Sequence, residues 1–139
     1  QKARSVLAYT GADAVMIGRA AQGRPWIFRE IDHFLRTGET LAPPTWTEMR
    51  ELLLHHLADH YQFYGESVGV KTARKHIGWY VDGLPGGQAF ADHINRLEST
   101  AEQATAVEHW FSAQSAVLPH TGLPNCDNPR QDVAHQQAA

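Results

Sequence analysis

Gly11-Ala12-Asp13-Ala14-Val15-Met16-Ile17-Gly18 is a short apolar run held between two glycines, and its conformation sets the fold class of the chain. The stretch from Asp13 to Ile17 is too short for a helix with a core face of its own, and its flanking glycines favour a buried strand. Before it, residues 1–10 read as the end of an amphipathic helix, with Val6, Leu7 and Tyr9 apolar and Gly11 as the stop. After it, Pro25 suits the first position of a helix, where its missing N–H does no harm. Trp26, Ile27, Ile31, Phe34 and Leu35 then recur at helical spacing until Thr37-Gly38 ends the run. Helix, glycine turn, buried strand and helix form the rhythm of a parallel α/β fold. A single strand makes no sheet, because its edges and both its faces need partners. Either the run is not a strand, or the expectation is an α/β beginning whose other strands lie upstream of Gln1.

The rest of the chain reads as helical. Residues 39–46 (ETLAPPTW) form a linker stiffened by Pro43-Pro44. Thr45 with Glu48 has capping-box spacing, and Thr47 is a rival N-cap. Met49, Leu52, Leu53, Leu57 and Tyr61 make an apolar stripe that ends at Gly65. A further helix is expected from Val68 to Val81, stopped by Gly83 and the Pro85-Gly86-Gly87 turn. A short helix with Phe90, Ile94 and Leu97 follows. The last helix, with Val107, Trp110 and Phe111, is capped by Ser99 and Glu102 or by Thr100 and Gln103. From Ala113 periodicity is lost, and residues 113–139 are expected to form a disordered tail.

The chain has 139 residues, 42% of them hydrophobic and 19% charged, enough apolar content for a modest core. No run of 18 apolar residues exists to span a membrane, and the opening QKARSV has no apolar core of a secretory signal. The lone Cys126 excludes a disulfide framework within the chain and a multi-cysteine metal site, and points to a reducing compartment. It falls in the Pro/Asn-rich tail, where a tuned, reactive thiol is not expected. The net charge of −3 divides unevenly: residues 1–30 carry +3, 31–60 carry −3, 61–96 carry +1 and 97–139 carry −4. Two locally basic segments inside an acidic total direct attention to anion binding there.

The first candidate site is Gly18-Arg19, with Gly23-Arg24 shortly downstream. A glycine at a strand's end lets a phosphate approach the backbone, and the arginine adds a charge-assisted contact. The last strands of β/α barrels use this arrangement, although an ordinary turn with a solvated arginine has the same pattern. The second candidate is the helix from Val70 to Val81. On a helical wheel Val70, Ala73, Ile77, Tyr80 and Val81 share the core side, while Lys71, Lys75 and Trp79 lie opposite, with Arg74 on the flank. Such a face can neutralise phosphates and stack on a base or ribose, or it can be a solvated charged face with Trp79 packed on a neighbouring helix. Of nine histidines, His56 and His60 stand at i, i+4 on one helix face. No glutamate completes an H-E-x-x-H pattern and no third ligand is evident, so no metal site is assigned.

The two basic candidates occur together in a known family. The stretch Gly11-Ala-Asp-Ala-Val-Met-Ile-Gly-Arg-Ala-Ala-Gln-Gly-Arg-Pro-Trp-Ile-Phe28 resembles the end of the flavin barrel in bacterial tRNA-dihydrouridine synthases, particularly the B-type branch. Lys71-x-x-Arg74-Lys75-His76-x-x-Trp79-Tyr80 resembles the signature of that family's C-terminal helical domain. The likeness covers residues 1–112 in order. It implies an oxidoreductase that reduces the C5=C6 bond of uridines in tRNA, with FMN as the cofactor and NADPH as the reductant. A barrel-loop cysteine supplies the proton, and the target base is flipped out to reach the flavin. Gly18 and Arg19 match flavin-phosphate contacts, and Lys71, Arg74, Lys75 and His76 match the tRNA-facing side.

The implied organisation is the last β/α unit of a TIM-type barrel (1–38), a helical tRNA-binding domain (39–112) and the tail (113–139). Cys126 matches the catalytic cysteine neither in position nor in context, so no catalytic residue is assigned. The chain is expected to be a C-terminal piece of a monomeric cytoplasmic enzyme, inactive alone, with tRNA as partner and neither membrane nor DNA. The competing reading is a non-catalytic helical module that binds RNA or protein.

Overall fold

A computed structural model describes residues 2–117 of the chain. Among these residues the regular elements are helical: α1 (Lys2–Thr10), a 3₁₀ turn (Arg19–Ala21), α2 (Ile27–Thr37), α3 (Trp46–Val81), α4 (Gly87–Ile94) and α5 (Thr100–Val117). The strand expected at 13–17 does not form, and this corrects the α/β expectation for the described residues. The physical reason is the one that made a lone strand suspect: no neighbouring strand among the described residues pairs with it. Its side chains find no core either, and Met16 stands 90% exposed.

The core is built by α3, α4 and α5. Thr45 caps α3 as a full capping box: its Oγ1 accepts from the Glu48 N–H, and its own N–H donates to the Glu48 carboxylate at 2.7 Å. Thr45 rather than Thr47 is therefore the N-cap. The stripe of Trp46, Met49, Leu53 and Leu57 is buried as its spacing requires, while Leu52 is partly exposed. At Gly65 the backbone turns to φ 70 and ψ 173, a conformation open to glycine and strained for other residues, and the helix breaks. The two halves of α3 double back as an antiparallel pair, with His60 meeting Thr72 and His56 meeting His76.

The second half of α3 buries Val70, Ala73, Ile77, Tyr80 and Val81, the face expected from the wheel. Phe90 and Ile94 of α4, with Val107 and Phe111 of α5, close the cluster. Phe90 stacks on Trp110 at 4.8 Å, and Trp46 meets Trp110 and Phe111 edge-on at 6.2 and 6.1 Å. Ser99 with Glu102 supplies the cap before α5: the Ser99 N–H donates to the Glu102 carboxylate, and Ser99 Oγ accepts from the Glu102 N–H. Gln103 is fully buried between α5 and α3. Its amide donates to the Val70 carbonyl at 3.1 Å, and its oxygen accepts from the Tyr61 hydroxyl at 2.8 Å. Helix α5 runs to Val117, past the point where a disordered tail was expected to start, and the remainder of that tail lies outside the described residues with Cys126.

Neither α1 nor α2 contributes a buried residue. They hold each other through Arg4, whose guanidinium donates to the Phe34 carbonyl at 2.7 Å and lies 4.6 Å from the Phe34 ring centroid. Besides an exposed Arg29–Glu48 ion pair at 3.9 Å, their link to the core is the segment between them. Trp26 packs edge-on against Tyr80 at 6.1 Å. Gly23 lies against the α3 backbone at Trp79 and Tyr80 so closely that a Cβ would overlap the Trp79 carbonyl.

Candidate nucleic-acid interface

The contact between Gly23 and α3 brings the two basic segments of the sequence to one place. A cleft of about 240 Å³ lies between them, with Gly18, Gly23 and Pro25 on one side and His56, His76 and Trp79 on the other. Gly18 thus faces the same cleft as His76 and Trp79, a juxtaposition that sequence spacing alone does not show. Gly18 and Arg19 are both exposed at the start of the 3₁₀ turn. Arg24 has a different task, since its guanidinium pairs with Glu30 at 2.6 Å.

On α3 the expected cationic stripe is in place. Lys71 and Lys75 are exposed, and the Lys75 ammonium lies 4.8 Å from the centroid of the Trp79 indole. Trp79 is half-buried rather than fully free. Arg74 is half-buried too: one amine donates to the Leu97 carbonyl at 2.9 Å, while Nε is buried with no hydrogen-bond partner among the described residues. Arg74 therefore anchors α3 to the segment after α4, and Lys71 and Lys75 carry the outward charge.

The histidines gather where the halves of α3 meet. The His76 ring lies 5.0 Å from His56 and 5.1 Å from His60, and it touches Trp79 edge-on at 5.2 Å. His60 is nearly buried and its Nε2 shares a 2.7 Å hydrogen bond with Thr72 Oγ1. Burial holds the pKa of His56 below its ordinary value, His60 adds to the effect and Asp59 opposes it. Burial likewise lowers His76, reinforced by His56, His60 and the Lys75 charge. Both rings are consequently neutral at pH 7, each with one N–H donor and one acceptor nitrogen. Burial pushes the Tyr80 hydroxyl beside them up to about 12. Among the described residues no group of three His, Cys, Asp or Glu side chains is placed to hold a metal ion.

Two parts of this site escaped the sequence. His56 belongs to it only because the break at Gly65 reverses the helix and delivers residue 56 to residue 76. Gly23 belongs to it because its backbone meets α3, a role its position beside Arg24 did not signal.

The family model described as Dihydrouridine synthase (Dus) matches residues 1–116. The chain belongs to the dihydrouridine synthase family. It is 54% identical over 112 residues to tRNA-dihydrouridine synthase B of Pseudomonas aeruginosa, covering 81% of this chain and 34% of that protein. It is 57% identical over 111 residues to the tRNA-dihydrouridine synthase B of Shewanella oneidensis, covering 80% of this chain and 34% of the relative. With the protein of the same name from Serratia marcescens it shares 48% identity over 127 residues, 91% of this chain and 37% of that one. The chain thus spans about a third of the length of these curated relatives. No helix among the described residues is long and apolar enough to cross a membrane.

Proposed function

We propose that this chain serves in dihydrouridine formation in tRNA, the reduction of the C5=C6 bond of a uridine, in the cytoplasm. The observation that carries the reading is the exposed Lys71–Lys75 pair beside Trp79 on α3, in a chain that belongs to the dihydrouridine synthase family. Residues 39–112 act as the tRNA-holding part. Lys71 and Lys75 lie against backbone phosphates, His76 contacts the RNA beside them, and Arg74 fixes the face through its bond to Leu97.

Residues 1–38 take the part of the barrel's last unit. Gly18 and Arg19 fit one phosphate: the glycine has no side chain to block approach, and the exposed guanidinium makes no ion pair among the described residues. In this reading they hold the phosphate of FMN. When bound, and recharged by NADPH, FMN supplies the hydride for the base. The residues described here hold and orient; none of them is assigned the proton transfer.

The test is chemical. Deleting the gene that encodes this chain should remove dihydrouridine from particular positions of cellular tRNA, read by mass spectrometry of digested tRNA. An unchanged dihydrouridine content contradicts the proposal. Arg19→Ala in the flavin-containing protein should lower the flavin absorbance retained at equal protein, and full retention rejects the phosphate role.

A further inference from the structure

The cleft between residues 18–25 and α3 has a composition that basic patches alone do not explain. Its α3 wall is made of flat rings: the Trp79 indole, the His56 and His76 imidazoles and Tyr80. The opposite wall is Gly18, Ala21, Gln22, Gly23 and Pro25, in which Gln22 supplies the one long polar side chain facing the rings. Among the described residues no carboxylate lines it, and the exposed cations Lys71 and Lys75 follow the same helix. A slot with aromatic walls and cations beside it is complementary to a planar base attached to a phosphate. The two neutral imidazoles add paired donor and acceptor nitrogens, which suit the carbonyl and imide groups of a pyrimidine edge.

We infer that this cleft is a subsite for one unpaired nucleotide of the RNA, its base lodged against Trp79 and His76 and its neighbouring phosphates on Lys75 and Lys71. The inference rests on the RNA-binding reading of α3 and gives that surface a specific occupant. It makes Trp79 a base-binding residue rather than packing for the charged face. It also assigns a task to His56, which the spacing of the basic residues leaves unused. The two walls meet at Gly23, whose backbone contact with Trp79 and Tyr80 admits no side chain.

The experiment uses the 139-residue chain, labelled with ¹⁵N, and follows the indole N–H signal of Trp79, with Trp110, which stacks on Phe90 and does not line the cleft, as internal control. The probes are uridine 5′-monophosphate and ribose 5-phosphate, each raised to about 10 mM, a range that detects binding of millimolar strength. Uridine monophosphate should move the Trp79 signal saturably and leave Trp110 in place, and ribose 5-phosphate should move neither. Read on the backbone amide signals of Gly18 and Gly23, which line the cleft, Trp79→Ala should weaken the nucleotide about tenfold or more, whereas Trp79→Phe should retain most of the affinity, because any aromatic face stacks. An oligouridylate should bind more tightly than the mononucleotide, and the Lys71→Ala/Lys75→Ala double variant should abolish that advantage.

Equal shifts from ribose 5-phosphate would reduce the cleft to an anion site and overturn the inference, as would the absence of a saturable shift in the unmodified chain. An oligouridylate no tighter than the mononucleotide overturns RNA as the source of the base. Retained tRNA binding through Lys71 and Lys75 without a Trp79 response would remove this subsite and leave the wider reading standing. A Trp79 response to the mononucleotide with no tRNA binding would leave a nucleotide site without RNA as its occupant, and would overturn both the inference and the wider reading.

Discussion

Gly23 and Trp79 touch backbone to backbone: a Cβ at residue 23 would overlap the Trp79 carbonyl and stand 2.9 Å from the Tyr80 nitrogen. This contact, with Trp26 on Tyr80, joins the first 38 residues to a core that otherwise begins at Trp46. Both Gly23 and Trp79 line the cleft.

Gly23→Ala should therefore act on the junction rather than on the core. The substitution places a side chain at φ +71 and against backbone that belongs to a packed helix, at a cost of about 2 kcal/mol. Hydrogen exchange by mass spectrometry should show faster exchange in residues 19–37 with little change in α4 and α5. Uniform destabilisation of the whole chain would place the effect elsewhere.

The first basic segment shows how far sequence reading reached and why it stopped. Helical spacing identified α1, α2 and the buried face of α3, because 3.6-residue periodicity is a local property. The capping residues Thr45 and Ser99 were legible for the same reason. The run at 13–17 carried the composition of a buried strand, but a strand forms only against neighbours, and composition does not supply them. Gly65 was legible as a stop. Its consequence, the return of α3 on itself that seats His76 between His56 and His60, depends on tertiary contacts such as His60 with Thr72.

The buried Gln103 should behave as a polar link whose partners fail together. Gln103→Ala leaves the Tyr61 hydroxyl without its acceptor and opens a fully buried site, at a cost of about 2 kcal/mol in urea unfolding. Tyr61→Phe combined with Gln103→Leu should cost less than the two single changes added together, since the double variant leaves neither half of that bond unpaired. Strict additivity would show that the two side chains do not act as a unit.

Stability should depend on pH through the histidines between the halves of α3. His56 and His76 take up protons less readily in the fold than at their ordinary value of 6.5, so the unfolded chain gains more protons as the pH falls. Their neutral forms support the fold fully above about 6.5, and that support is lost as the pH drops through their lowered folded values. The melting temperature should thus fall between pH 7.5 and pH 5.5. His76→Gln should lessen the fall, because it removes one of the two titrating rings. A melting temperature that rises on acidification, or a fall unaltered by His76→Gln, would contradict this account of the cluster.

The most direct measurement is the salt dependence of tRNA binding by this chain and by variants of its α3 face. Lys71→Ala and Lys75→Ala should each weaken binding and each reduce the slope of log K against log salt by about one. The double variant should lose about two, while a change at the exposed Lys2 on α1, away from this face, should leave affinity and slope nearly as they were. A double variant with the slope and affinity of the unmodified chain would show that tRNA does not use this face, and would contradict the central claim.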